Sequence, residues 1–240
     1  MERNGRRWRR FLFWFLLITL ITSIVFTLYR LIITPSVPDS THLADNTKTK
    51  SDYVLMLTQC ALGLVVMMLP SVAEKRFSVE VPALMTTCYH LFLYAAIYLG
   101  EIRSFYTEFK NWDVVLHTFS SFMLGCLSFS VITLLNKWDK MPFNLSPAFT
   151  ALFALCFAVT LGVVWEIYEY TLDGLLKLNM QKFIAPDGTT LIGHAALGDT
   201  MGDLVVDSLG AFAASVMGYI SLKYNKGWIE KLQIKKRKGK

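Results

Sequence analysis

Residues 147–173 read PAFTALFALCFAVTLGVVWEIYEYTLD. From Pro147 to Trp165 no residue is charged. At 1.5 Å per residue such a helix covers about 28 Å, close to the depth of a bilayer's hydrocarbon core. Pro147 suits the first helical turn, where a missing amide costs nothing. The run then closes on Glu166, Glu169 and Asp173, within about 60° of one another at 100° per residue, and Tyr170 is read onto the same face. The macrodipole opposes anions at a helix C-terminus, so three acids after an apolar run need protons, cations or a metal to offset them. The stretch is therefore a membrane span with a candidate site at its end.

Five more uncharged runs flank it: Phe11–Tyr29, Tyr53–Ala73, Val81–Gly100, Val114–Asn136 and Ser208–Leu222. The last is long enough to span only if its helix begins before Asp207. A chain of 240 residues that is 54% hydrophobic and 18% charged is too apolar for an ordinary soluble domain. The expectation is an all-α polytopic membrane helix bundle forming a single integral-membrane domain, residues 1–240. Its six spans are expected near residues 11–33, 53–70, 83–100, 113–136, 147–172 and 202–223. Pro70 is expected to end the second span, and Pro82 to precede the third.

The net charge of +6 is concentrated at the two ends of the chain. With a cytoplasmic N-terminus, seventeen Lys and Arg fall on the cytoplasmic side and six outside, with Arg30 near an outer helix end. The positive-inside rule then places both termini in the cytoplasm, and a location in the cell membrane is expected. The tail Lys235–Lys240 reads as a topology anchor that attracts anionic headgroups, so membrane lipids are the expected partners. No folded basic module accompanies it, which argues against nucleic acid. The N-terminus imitates a secretory signal, but its apolar run is long and Thr34–Pro38 offers no small-residue cleavage pattern, so it reads as an uncleaved anchor. Pro35–Asp52 reads as an outer loop. Cys60, Cys88, Cys126 and Cys156 fall one each inside four spans, which suits packing better than a disulfide frame.

Traced through these spans, the acids collect at one membrane face. Asp113 and His117 open the fourth span four residues apart, with Ser120, Ser121 and Ser128 continuing near that face. Asp199, Asp203 and Asp207 open the sixth at the same spacing. Asp199 and Asp203 have ordinary explanations near a helix start, and Asp207, two turns in, has none. Gly202, Gly210, Ala214 and Gly218 form an expected small-residue seam that turns the aspartates inward. Glu101 ends the third span and, eleven residues on from His90, is expected to share its face. His90 itself reads as a buried neutral imidazole. The connection Gly174–Gly198, with a turn at Ala185–Gly188, is long enough to fold over the site.

The segments Asp113-Val114-Val115-Leu116-His117, Trp165-Glu166-Ile167-Tyr168-Glu169 and Gly198-Asp199 through Asp207-Ser208-Leu209-Gly210-Ala211 resemble the YjdF-like family of bacterial multi-pass inner-membrane proteins. The likeness covers about Ala83–Tyr224. A looser likeness extends to VanZ-like proteins, although the Gln and Arg usual there are missing. The resemblance implies a membrane location and a helical architecture, with no established activity.

Three readings of the cluster stay open. One is a metal-dependent enzyme on lipid or lipid-linked headgroups, with Glu166, Glu169, Asp203 and Asp207 holding a divalent ion. Asp173 and Asp199 are lesser ligand candidates, and His117 and Asp113 would be the acid–base groups. Another is a non-enzymatic envelope protein with a structural metal or proton lock. The third is a proton-coupled transporter, which lacks a chain of acids leading to the other face.

Overall fold

The computed structural model describes residues 2–35, 48–136, 145–185, 188–229 and 232–236, with backbone alone at 2–6 and 135–136. Most of the expected outer loop Pro35–Asp52, the Lys137/Lys140 connection, Pro186–Asp187 of the expected turn and the end of the basic tail lie outside the described residues. Among those described, six helices are long and apolar enough to cross a membrane: Arg7–Ile33, Lys50–Arg76, Ala83–Ile102, Trp112–Leu134, Pro147–Leu176 and Ala195–Lys223.

The first is α1 (Glu2–Ile33). Leu16, Leu20, Ser23 and Thr27 are buried along one stripe, while Trp14, Ile18, Ile21 and Val25 stay exposed on the lipid side. The second crossing starts at a capping box: the Asp52 amide donates to Thr49 Oγ1 at 3.3 Å, and the Thr49 amide to Asp52 Oδ2 at 2.7 Å. It is two helices, α2 (Lys50–Val66) and α3 (Leu69–Arg76), broken at Met67–Met68. This corrects the expectation that Pro70 ends the span. Lacking an N–H, Pro70 cannot continue the ladder of α2, but it fits the first turn of α3.

The third crossing also changes character midway. An α-helix, α4 (Ala83–Leu93), runs into π-helical turns over Tyr94–Ile102, closed by the Arg103 amide donating five residues back to Tyr98 at 2.9 Å. Wider turns advance less per residue, so the 3.6-residue phase linking His90 to Glu101 does not hold. His90 packs edge-on against Phe13, ring centres 5.9 Å apart, whereas Glu101 lines the central cavity. A short helix, α5 (Phe105–Glu108), leads to α6 (Trp112–Asn136). The last long helices are α7 (Pro147–Leu176) and α8 (Gly198–Lys223), and Ser146 caps α7 through Phe149.

Helices α6, α7 and α8 pack on one another, and α1 packs on α2, α4 and the π-helical turns. The two groups meet along α6, the end of α4 and those turns, where Phe92 stacks on Phe119 at 6.1 Å and the Trp112 indole donates to the Ala95 carbonyl at 3.4 Å. At one end of the bundle β1 (Val79–Glu80) pairs antiparallel with β2 (Lys235–Lys236), Val79 opposite Lys236. Arg9 binds Glu74 there at 2.7 Å, and the Ile234 amide donates to Ser130 Oγ at 3.0 Å. Residues near both chain ends therefore lie at one end of the bundle, and the acids lie at the other.

Candidate functional site

The acidic end is assembled from α6, α7, α8 and the connection between α7 and α8. Where α8 packs on α6 and on α7, small residues bring backbones close enough for side-chain hydroxyls to reach carbonyls across the helices. Ser121 donates to the Asp207 carbonyl at 2.6 Å, and Ser215 donates to that of Ala151 at 2.6 Å. A side chain at Gly210 would meet the Thr118 carbonyl oxygen at 2.5 Å, and one at Gly162 would occupy the place of the Asp207 carboxylate. Gly162 was not singled out from the sequence, because a lone glycine in an apolar run carries no signal. Gly202 departs from the expected seam: a side chain there meets nothing within 4 Å. It lies eight residues before Gly210, about 80° round the helix, whereas Asp203 lies within about 20°.

His117 is the hub. Its Nδ1 lies 3.4 Å from Asp207 Oδ1, and its Nε2 lies 3.6 Å from Asp113 Oδ1 and 3.9 Å from Asp203 Oδ2. Asp113, His117 and Asp203 each offer one ligand atom, all within 4.8 Å of one another. Asp207 is 3% exposed, and its Oδ1 has no donor at hydrogen-bonding geometry. Glu166 is 5% exposed with neither carboxylate oxygen so bonded, although Thr200 and His117 are among the groups facing it. Glu169 is buried one turn along and lines the cavity. Tyr170, expected on the same face, is 71% exposed, since it stands about 100° from Glu169. Of the expected ligands Glu166, Glu169, Asp203 and Asp207, only Asp203 belongs to the close group. Asp113 and His117, expected as acid–base groups, complete it.

Asp173 and Asp199 are engaged elsewhere. Asp173 accepts from the amides of Met180 at 2.8 Å and Gln181 at 3.0 Å, which folds the connection back over the helix end. Lys177 leaves α7 in the left-handed region at φ 53°, and Lys182 turns the chain again at φ 49°. Gln181 reaches Thr200 Oγ1 at 2.7 Å. These contacts deliver the Lys182 ammonium between Asp113 and Asp199, 2.8 Å from the latter and in direct contact with the former. Burial alone would lower the Lys182 pKa, but the two carboxylates hold it above its ordinary value. Asp199 is thus an ion-pair partner and does not cap α8, whose first residues carry no side-chain cap. A lysine far along a polar loop gives no sequence signal for such a role.

The cluster opens into a cavity of about 2440 Å³ between the two helix groups. Asp113, His117, Glu169 and Asp207 line it, and opposite them stand Lys48 and Glu101. Lys48 donates to the Glu101 carbonyl at 3.1 Å and so caps the π-helical turns; burial lowers its pKa, offset in part by Glu101. Tyr106, against Gly100, has its phenol pushed well above the usual value by burial. Ser51 Oγ donates to the Lys177 carbonyl at 2.7 Å, joining the two groups at this end.

Residues 12–224 match the family described as Predicted membrane protein (DUF2238), and the chain belongs to that family. It is a multi-pass membrane protein. An uncharacterised protein of Thermotoga maritima is 30% identical over 151 residues, which span 62% of this chain and 69% of that protein. No solved structure matches.

Proposed function

We propose that the protein is a metal-dependent membrane enzyme acting on a lipid or lipid-linked headgroup at the outer leaflet of the cell membrane. The YjdF-like label, read from the Asp–His, Glu-x-x-Glu and spaced-aspartate segments, is part of the same proposal. So is the orientation with both termini cytoplasmic, which rests on the distribution of basic residues.

The observation that carries the reading is the convergence of Asp113, His117 and Asp203 within 4.8 Å, beside the buried Asp207, whose Oδ1 stands 3.4 Å from His117 Nδ1. Two carboxylates and an imidazole suit a divalent ion, with the imidazole shifting preference toward Mn²⁺ or Zn²⁺ over Mg²⁺ or Ca²⁺. Asp207 would orient His117 through Nδ1 and leave Nε2 for the ion. A bound ion there would polarise a phosphoryl or carbonyl oxygen, or activate water, and Glu169 on the cavity wall is placed to exchange a proton with the substrate. Metal content of the detergent-purified protein tests this. Wild type should carry a divalent ion that Asp203→Asn lacks, and metal-free wild type after growth with Mn²⁺ and Zn²⁺ supplied would refute the reading.

One observation favours a second reading, a non-enzymatic lock. Lys182 already clips Asp113 to Asp199 and so ties α6 to α8 without any ion. A lock would bind an ion, or share protons, without turning anything over.

A further inference from the structure

The cavity is too large for a headgroup alone. Small-molecule sites occupy about 300–1,000 Å³, whereas this one holds about 2440 Å³. It follows α6 from Asp113 to Leu127, about 21 Å at 1.5 Å per residue. One leaflet of a bilayer's apolar core is about 15 Å deep. Below the acids its walls turn apolar: Leu62 of α2, Met85 and Phe92 of α4, Leu124 and Leu127 of α6, and Leu161 of α7. Gln59, Thr86 and Ser120 interrupt this lining, and inside a bilayer the material at hand to fill a largely apolar space is lipid. Helices α2 and α7 face each other across it, and no extended packing joins them among the described residues.

The two ends of the cavity differ in chemistry as the two ends of a phospholipid do. At the acidic end Lys48, Lys177 and Lys182 line it together with Glu101, Asp113 and Glu169. With an ion on Asp113, His117 and Asp203, that end presents cationic groups to a phosphate while the remaining carboxylates face an amine or hydroxyl.

We infer that the cavity holds one membrane phospholipid, its phosphate at the Lys48–Lys182 end and an acyl chain lying along α6 toward Leu127. The headgroup half rests on the metal reading above; the tail half stands without it.

The test uses the full-length protein in vesicles of phosphatidylethanolamine and phosphatidylglycerol. The probe is a trace of phosphatidylethanolamine carrying a mid-chain diazirine, and cross-linked residues are mapped by mass spectrometry. Wild type should be labelled at cavity residues such as Leu124, Phe92 and Met85. Leu124→Trp should lose most of that labelling while keeping its metal-induced melting shift; Leu55→Trp, on the facing wall, serves if the first variant is unstable. Asp203→Asn should lose the melting shift and keep the tail labelling. A diacylglycerol with the same diazirine chain should label the cavity several-fold less. Labelling confined to lipid-facing residues such as Leu152 and Phe212 would overturn the inference, as would equal labelling by the two probes. A wild type labelled in the cavity but indifferent to every ion would refute the metal centre and leave the tail site standing.

Discussion

Oδ1 of Asp207, on α8, stands 3.4 Å from Nδ1 of His117, on α6. Ser121 holds the Asp207 carbonyl, and the bare backbone of Gly162 leaves room for its carboxylate. The opposite ring nitrogen is thereby aimed between Asp113 and Asp203. A carboxylate behind a histidine fixes which nitrogen carries the proton and raises the basicity of the other, the arrangement found behind metal-bound imidazoles.

Asp207→Asn keeps the volume and removes the charge. Affinity for Mn²⁺, measured by titration calorimetry in detergent, should fall by about 10–100-fold. The metal-free protein should melt no lower than wild type, because one charge among the crowded buried carboxylates is removed. Unchanged affinity would leave Asp207 without a part in orienting His117.

Lys182→Ala should do two opposite things. The Lys182 side chain is 37% exposed, so the lost pairing falls between surface pairs, about 0–1 kcal/mol, and broken buried pairs, about 3–5 kcal/mol. A loss of about 1–2 kcal/mol should lower the melting temperature by about 2–8 °C. Folding raises the Lys182 pKa, so its contribution is full below about pH 10 and is lost as pH climbs past the folded value. Acid-side changes therefore belong to the carboxylates. The same variant frees Asp113, and cation affinity should rise. A pure lock, with Lys182 as its key, would show the destabilisation alone.

Two glycines of α8 should respond in opposite directions. Gly210→Ala pushes a methyl against the Thr118 carbonyl of α6 and should cost about 1–3 kcal/mol as the helices separate. Gly202→Ala meets open space and should stabilise by about 0.4–1 kcal/mol through lost chain freedom in the unfolded state. Equal melting of the two variants would place the α6–α8 contact elsewhere.

Orientation is checked by thiol labelling of intact cells in a background lacking Cys60, Cys88, Cys126 and Cys156. Ile192→Cys, 85% exposed beside the acidic end, should react with an impermeant reagent. Lys236→Cys, at the opposite end, should not. The reverse pattern would put the acids on the cytoplasmic side and remove the outer-leaflet part of the account.

The hydropathy blocks made the six crossings legible, and the acids at span ends made the site's end of the bundle legible, because charge inside a membrane is costly enough to stand out. Three features were not. The π-helical turns at Tyr94–Ile102 changed the phase after His90, and nothing in an apolar run marks where hydrogen bonding widens. Ile229 and Ile234 precede the basic tail Lys235–Lys240 without standing out, yet Ile229 is fully buried and Ile234 nearly so, with Ile234 packed by Val79, Val81 and Met85. Two isoleucines among lysines carry too little periodicity to announce a docked strand. The ion pair of Lys182 with Asp113 and Asp199 depends on a loop fold set by Asp173 and two left-handed residues, a long-range outcome that local spacing does not encode.

The most direct measurement is the melting temperature of the detergent-purified protein with and without Mn²⁺, Zn²⁺, Mg²⁺ and Ca²⁺, for wild type, His117→Gln and Asp203→Asn. Because the ion binds the folded state, wild type should be stabilised progressively by Mn²⁺ or Zn²⁺, by about 2.7 kcal/mol at a hundred times the dissociation constant. Both variants should stay flat across the series. A wild type that no ion shifts, but that gains stability as the pH falls, would contradict the metal centre and leave shared protons as what balances the buried carboxylates.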